Sequence, residues 1–135
     1  MIGKIFGAYD VRGRYPRELN EETVHLIANA LVRYFQKTKP LNRRKIVVLG
    51  RDARTSSPSL YGVLVQVFRK SKDFRLVDAG LTTTPMLYFL VGRFRATLGV
   101  MVTASHNPKS WNGLKVVGRG AKPISGREVG RMLKT

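Results

Sequence analysis

Cysteine is absent from the 135 residues of the chain. Its absence excludes disulfide bonds, a thiolate nucleophile and cysteine-ligated metal sites, and it fits a protein that does not rely on oxidising conditions. Long apolar runs are also missing, so the sequence contains no segment that could span a bilayer. The first residues, "MIGKIFGAYD", lack the features of a secretory signal. We therefore expect a cytoplasmic protein without a membrane partner.

Acidic residues are scarce: 8 Asp and Glu stand against 25 Lys and Arg, which gives a net charge of +17. Such a charge attracts polyanions, including nucleic acids. The basic residues are spread along the whole chain, with no dense basic tail, so we expect no specific nucleic-acid binding. A site for anionic small molecules, an acidic remainder in a larger protein and a simple excess of solvated surface charge all stay open.

Apolar periodicity switches between helical and strand spacing at short intervals, which is typical of an α/β protein. Asn20 can cap a first helix, with Pro40 beyond its end. Further helices are predicted to begin at Ser57-Pro58, at Thr84-Pro85 and at the capping box of Ser125 and Glu128. The last helix has barely two turns before the sequence stops, so we expect one domain, residues 1–135, cut from a longer protein.

Four strands are predicted, at 45–49, 75–80, 97–103 and 114–118. The first three are joined by helices and are expected to run parallel, with helices on both faces of the sheet. The fourth follows a hairpin-like connection, which predicts an antiparallel strand. Ligands of such sheets bind beyond the carboxyl ends of the strands. Polar clusters fall at these ends or in comparable loops: "YDVRGR", "GRDARTSS" and "TASHNPKSWNGLK".

Ser105 follows a buried strand, a position that suits a nucleophile or a covalent phosphate carrier. An ordinary turn serine is the alternative. The local sequence "TASHN" lacks the glycines of a G-x-S-x-G elbow, which argues against a serine hydrolase. His106 could transfer protons or bind phosphate, or could simply be solvated. Lys115 could reach a phosphate on Ser105 or face solvent.

Asn107-Pro108 most simply forms a turn, and Asn112-Gly113 most simply makes the reversal into the last strand. The guanidinium groups of Arg12 and Arg51 match phosphate oxygens, and Asp10 and Asp52 could orient them or form structural salt bridges with them. None of the loops has a Walker A or G-x-G-x-x-G sequence, so nucleotide binding has no motif support.

Together these motifs resemble the α-D-phosphohexomutase family of phosphoglucomutases, phosphomannomutases and phosphoglucosamine mutases. "TASHNP" resembles its phosphoserine loop, and "NGLK", "AYDVRG" and "GRDARTSS" match further family motifs in order and spacing, over residues 6–117. The "YDVRG" opening and Trp111 resemble the phosphomannomutase/phosphoglucomutase branch more than the glucosamine branch.

The resemblance implies domain I of such an enzyme, a three-layer α/β/α unit with a four-stranded mixed sheet, without domains II to IV. It implies that Ser105 carries a phosphoryl group and that hexose 1-phosphate and 6-phosphate interconvert through a bisphosphorylated sugar. Arg12, Lys115, His106, Asn107 and Arg51 are the expected site residues for phosphate binding or catalysis.

Mg²⁺ is the expected metal, contacting the Ser105 phosphate and taking its other ligands from a missing domain. We therefore expect the isolated domain to be inactive, with hexose phosphates and the remaining mutase domains, in cis or on a separate chain, as its partners. Two alternatives stay open: a subunit of a split mutase, and a noncatalytic basic module that binds nucleic acid.

Overall fold

The computed structural model describes residues 2–37 and 44–135, which contain six strands, four α-helices and two short 3-10 helices. The strands are β1 (Val11–Arg14), β2 (Lys45–Arg51), β3 (Phe74–Leu81), β4 (Leu98–Val102), β5 (Trp111–Val117) and β6 (Pro123–Ile124). The α-helices are α1 (Glu21–Phe35), α2 (Ser57–Lys70), α3 (Thr84–Arg93) and α4 (Gly126–Met132). The 3-10 helices cover Ile2–Ile5 and Arg119–Ala121. No helix in the described ranges is both long and apolar enough to cross a membrane.

All six strands form one mixed sheet in the order β1-β5-β4-β2-β3, with β6 also beside β5. β2 pairs in parallel with β3 and with β4. β5 is antiparallel to β4, as predicted, and also to β1 and β6. The carboxyl ends of the three parallel strands therefore meet at one edge of the sheet.

The helices begin where the sequence predicts them. The Asn20 side chain accepts a hydrogen bond from Thr23 N at 3.0 Å and caps α1. Pro58 lies in the first turn of α2, and the capping box of Ser125 and Glu128 opens α4. Pro40 lies outside the described residues. These local signals are short-range, which is why the sequence alone identifies them.

Two apolar cores lie on opposite faces of the sheet. The larger core packs α1, α2 and α4 against one face through buried side chains such as Leu31, Leu64 and Val129. The smaller core packs α3 against the other face through Leu87 and Val91. The predicted three-layer α/β/α architecture is confirmed.

The predicted number of four strands is wrong, because β1 and β6 also join the sheet. The prediction of a turn at Asn112-Gly113 is also wrong, since both residues lie inside β5. The Asn112 side chain is buried and donates to Ser56 Oγ at 2.7 Å and to Ser57 Oγ at 3.0 Å. Gly113 pairs with Arg12, and a Cβ atom there would lie 2.2 Å from the Val11 carbonyl oxygen. Close strand packing, not a reversal, requires this glycine.

Candidate functional site

Ser105 lies three residues beyond the end of β4, in the loop that leads into β5. Its backbone has φ 54°, in the left-handed region that serine rarely adopts. The Ser105 N–H donates to Thr103 Oγ1 at 3.0 Å, and the Asn107 N–H donates to the Ala104 carbonyl oxygen at 3.1 Å. The loop thus holds a half-buried serine in a conformation that costs about 1–3 kcal/mol, which must be offset by its neighbours.

Arg12 brings a guanidinium group from β1 to this serine. Its Nη2 atom is 3.4 Å from Ser105 Oγ, and its Nη1 donates to Asn107 Oδ1 at 2.5 Å. Its Nε donates to Asp10 Oδ2 at 2.9 Å. Because Arg12 pairs with Gly113 across the β1–β5 ladder, the sheet fixes the position of the guanidinium relative to the serine loop.

Asp10 forms ion pairs with both Arg12 and a second cation, Lys115. Its carboxylate is 9% exposed, and Oδ2 lies 2.9 Å from Arg12 Nη2 and 3.6 Å from Lys115 Nζ. Lys115 comes from β5, where it pairs with Met101 of β4. One carboxylate between two cations leaves this end of the sheet with a positive charge, as an anionic ligand requires.

Arg54 binds the backbone of the serine loop through its guanidinium group. The sequence-based predictions did not include this residue. Its Nη2 donates to the carbonyl oxygens of Ser105 at 2.9 Å and Asn107 at 2.8 Å. Its Nη1 donates to those of Pro108 at 2.7 Å and Trp111 at 3.2 Å. Four carbonyl contacts from one guanidinium make Arg54 the main support of the loop conformation.

Asp52 anchors Arg54 in turn. Its Oδ2 accepts from Arg54 Nε at 3.3 Å, and its Oδ1 accepts from the Arg54 N–H at 3.1 Å and from Ser57 Oγ at 2.5 Å. Ser57 begins α2 and also accepts from the buried Asn112. The "GRDARTSS" motif therefore supports the serine loop through Asp52 and Arg54.

Arg51 and His106 do not join Arg12, Asn107 and Lys115 around Ser105. The Arg51 guanidinium donates to the Asp52 carbonyl oxygen at 3.1 Å, so its observed hydrogen bond is to the backbone of its own loop. The His106 side chain is exposed and makes no hydrogen bond with the described residues. The structure thus brings Arg12 to the serine hydroxyl and Asn107 to Arg12, places Lys115 next to Asp10 and leaves His106 exposed.

Two clefts flank this cluster. One, of about 480 Å³, is lined by Ser105, Asn107, Lys109 and Arg54. The other, of about 300 Å³, is lined by Lys115, Tyr9, Tyr88 and Glu128. Burial raises the pKa of the Tyr88 phenol, and the negative charge of Asp10 raises it further. Tyr88 therefore stays a neutral hydrogen-bonding group beside the charged cluster at neutral pH.

The described residues do not fit a magnesium site. No group of three His, Asp or Glu side chains among them is close enough to hold a metal ion. Asp10 is already paired with Arg12 and Lys115, and Asp52 already accepts hydrogen bonds from Arg54 and Ser57. A magnesium ion prefers several carboxylate or water oxygens. The ligand that the sequence analysis expects from this chain is an oxygen carried on Ser105.

The fold and the cluster define a class: an α/β/α domain that presents a serine hydroxyl to a guanidinium group at the carboxyl edge of its sheet. A sequence model of the family described as "Phosphoglucomutase/phosphomannomutase, alpha/beta/alpha domain I" matches residues 3–131. The chain belongs to this family.

Similar proteins agree with this assignment. A protein named "Phosphohexose mutases" from Xanthomonas campestris pv. campestris is 43% identical over 120 residues, which are 89% of this chain and 25% of that protein. A phosphomannomutase from Salmonella typhimurium is 40% identical over 121 residues, 90% of this chain and 25% of that protein. The chain therefore spans about a quarter of the length of these relatives.

A solved structure shows the same fold. The crystal structure of a phosphoglucomutase/phosphomannomutase family protein from Burkholderia thailandensis superposes with a TM-score of 0.84 at 33% identity. The match covers 99% of this chain and 30% of that one.

Proposed function

We propose that this chain is the domain of a phosphohexomutase that carries the phosphoryl group, and that Ser105 is the carrier. The complete enzyme would interconvert hexose 1-phosphate and hexose 6-phosphate through a bisphosphorylated sugar. The observation that carries the proposal is the contact of Arg12 with both Ser105 Oγ and Asn107, at the carboxyl edge of the sheet. A guanidinium group in this position suits a phosphate on the serine oxygen.

The proposed chemistry is two phosphoryl transfers. A free hydroxyl of the sugar phosphate attacks the phosphorus of phosphoserine 105, the bond from phosphorus to Ser105 Oγ breaks, and the hydroxyl proton is released. The sugar then holds two phosphates. After it turns round, Ser105 Oγ attacks the other phosphate, and that sugar hydroxyl regains a proton. The phosphoserine is restored, and the phosphate has moved between C1 and C6.

The described cations suit this chemistry. A phosphoserine carries about −1.5 to −2 charges at neutral pH, and phosphoryl transfer depends on positioning and charge stabilisation. Arg12 would bind the phosphate, and Lys115 would supply positive charge and a proton path. His106 and Asn107 would shape the loop, and Arg51 would add positive charge near it.

Hexose phosphates and the remaining mutase domains, in cis or on a separate chain, are the proposed partners. A bisphosphorylated hexose is the proposed activator, and a magnesium ion would take its carboxylate ligands from outside this chain. The branch motifs favour glucose and mannose phosphates over glucosamine phosphate as substrates.

The proposal is tested by Ser105→Ala in the complete gene product that contains this chain. Mutase activity on glucose 1-phosphate and mannose 1-phosphate, with magnesium and a bisphosphorylated hexose, should fall to background. The free energy of unfolding should change by less than about 1 kcal/mol, because both residues carry a Cβ atom at the same positive φ and the loop hydroxyl packs little. Intact-protein mass spectrometry should detect one phosphoryl group, absent from the variant.

Ser110→Ala is the matched control, since Ser110 is an exposed serine of the same loop. It should retain both the activity and the phosphoryl group. A Ser105→Ala enzyme that is folded and active would end the assignment of Ser105 as the carrier.

A further inference from the structure

A row of exposed basic residues lies at the edge of the sheet opposite Ser105. Each of its members lies at the end of an element or in the short connection beside it: Arg44 precedes β2, Lys72 lies between α2 and β3, Arg93 ends α3, and Arg95 lies between α3 and β4. Two more, Arg119 and Lys122, follow β5. We call these six residues the basic edge. The sequence scatters them over residues 44–122, and the fold gathers them.

Strand pairing places these positions side by side. Lys45 pairs with Phe74, so the starts of β2 and β3 are level. Leu98 of β4 pairs with Val47, and Gly99 pairs with Val117 at the end of β5. Neighbouring strands are about 4.8 Å apart, so the row crosses about 14 Å from β3 to β5.

Little negative charge balances the row. None of the six side chains lies within 4.0 Å of a carboxylate of the described residues, and Asp73 is the acidic residue between β3 and α2. The negative ends of the helix dipoles of α2 and α3 favour Lys72 and Arg93. Arg95 lies two residues beyond α3, as Lys72 lies two residues beyond α2, so the dipole of α3 favours it as well. Arg44, Arg119 and Lys122 lie before β2 or in the segment after β5, so helix dipoles do not account for these three.

An aromatic ring interrupts the row. Phe94 lies between Arg93 and Arg95 and is 40% exposed. Proteins that bind single-stranded nucleic acid combine backbone-tracking cations with aromatic rings on which bases stack. A second copy of this chain would be repelled by the same positive charge. A flat anionic membrane would fit a broad surface with several apolar anchors better than a narrow row with one ring.

We propose that the basic edge binds a linear chain of phosphates, as in single-stranded nucleic acid, without sequence preference. The proposal uses no residue of the Ser105 cluster and does not depend on the proposed mutase function. Arg44, Arg95, Arg119 and Lys122 contact backbone phosphates, and Phe94 stacks against a base.

The test compares two quadruple variants of the complete gene product by fluorescence anisotropy with a labelled oligothymidylate, over a series of salt concentrations. The first variant changes Arg44, Arg95, Arg119 and Lys122 to Gln. The matched control changes Arg17, Arg127, Arg131 and Lys134 to Gln; these residues are exposed outside the basic edge, and the control lowers the net charge equally.

The slope of log affinity against log salt changes by about 0.7 for each phosphate contact on single strands. The edge variant should therefore lose about three units of slope, with affinity at low salt at least tenfold weaker, while the control stays close to the parent. Equal loss in both variants would show diffuse attraction and overturn the proposal. Circular dichroism and thermal unfolding establish that both variants fold.

Two further ligands and one further variant identify the source of the phosphates. Inorganic polyphosphate tests the shared chemistry, and Phe94→Leu should weaken oligothymidylate binding but leave polyphosphate binding unchanged. Tighter binding to vesicles of anionic phospholipid than to either chain would overturn the proposal in favour of a membrane. Mutase activity should be the same in both quadruple variants, so its loss or absence bears only on the separate mutase proposal.

Discussion

Arg54 shows how a single residue can fix the conformation of a loop through its backbone carbonyl oxygens. Its guanidinium contacts four backbone carbonyl oxygens between Ser105 and Trp111 and is itself held by Asp52. These contacts supply the stabilisation that a serine at positive φ needs. Arg54 is therefore a positioning residue for Ser105.

We predict that Arg54→Met lowers kcat of the complete mutase by about two orders of magnitude, because small misplacements of a reacting group are costly. KM for the sugar phosphate should change little, since the Arg54 guanidinium is already occupied by loop carbonyl oxygens and by Asp52. Added guanidinium ion at millimolar concentration should restore part of kcat. Steady-state kinetics measure all three effects.

Arg51→Met is the control for this prediction, because Arg51 ends β2 three residues before Arg54 and makes one hydrogen bond, to the Asp52 carbonyl oxygen. It should change kcat much less than Arg54→Met. A change in KM alone, or equal effects of the two substitutions, would contradict the positioning role.

At the scale of elements, Glu21 links three parts of the fold through one carboxylate. It begins α1, and its Oε2 accepts from Ser59 Oγ of α2 at 2.5 Å and from the Tyr15 hydroxyl at 2.6 Å. These hydrogen bonds lower the pKa of Glu21, the Ser59 bond most, and the bond to Glu21 is also the main cause of the raised pKa of Tyr15. The ionised form is therefore the one that joins α1, α2 and the segment after β1.

Because the pKa of Glu21 is lower in the folded state, its contribution to stability is fully present above the ordinary glutamate pKa of 4.5. The contribution is lost as the pH falls through the lowered value. We predict that Glu21→Gln lowers the free energy of unfolding at pH 7 and that the difference from the parent shrinks below pH 4. Urea unfolding across this pH range measures it.

Glu22→Gln is the matched control, because Glu22 occupies the same helix turn but is exposed. It should show a small effect that depends little on pH. A pH-independent difference for Glu21→Gln would mean that hydrogen bonding alone, and not the charge, supports the contact.

The sequence predicts the elements that carry local signals and misses those that depend on distant partners. Capping residues and apolar periodicity identify all four helices and strands β2 to β4. β1 reads "VRGR", with one apolar residue and two charges, and it becomes a strand only because β5 lies beside it. Asn112-Gly113 has the composition of a turn, but its side chain and packing contacts are to Ser56, Ser57 and Val11.

The residues of the candidate site also separate into those that the sequence predicts and those that it misses. Arg12, Asn107 and Ser105 are predicted together and lie together, because Arg12 pairs with Gly113 of β5 and the loop that holds Ser105 and Asn107 leads into that same strand. Lys115 reaches the cluster through Asp10. Arg54 has no signal that separates it from Arg51, since a guanidinium that binds backbone carbonyls leaves no side-chain pattern in the sequence. The catalytic roles of the cluster stay predictions until they are tested.

At the scale of the whole molecule, the described residues lack a group of acidic or histidine side chains that could hold a metal. We predict that the complete gene product loses mutase activity in excess EDTA and regains it with magnesium. This chain alone should show neither mutase turnover nor a heat of magnesium binding by calorimetry. Turnover by the chain alone would contradict the proposed need for further domains.

The pairing of β1 with β5 has a consequence for biosynthesis. Arg12 and Asn107 are 95 positions apart, so at 5–20 residues per second the ribosome delivers the loop about 5–20 s after the first strand. During that interval β1 has no strand beside it, because its partner β5 has not been made, and exposed strand edges invite pairing with other chains. The strand made first thus pairs only after β5 has been made, and the rate of translation from residue 15 to residue 117 sets how long its edge stays exposed.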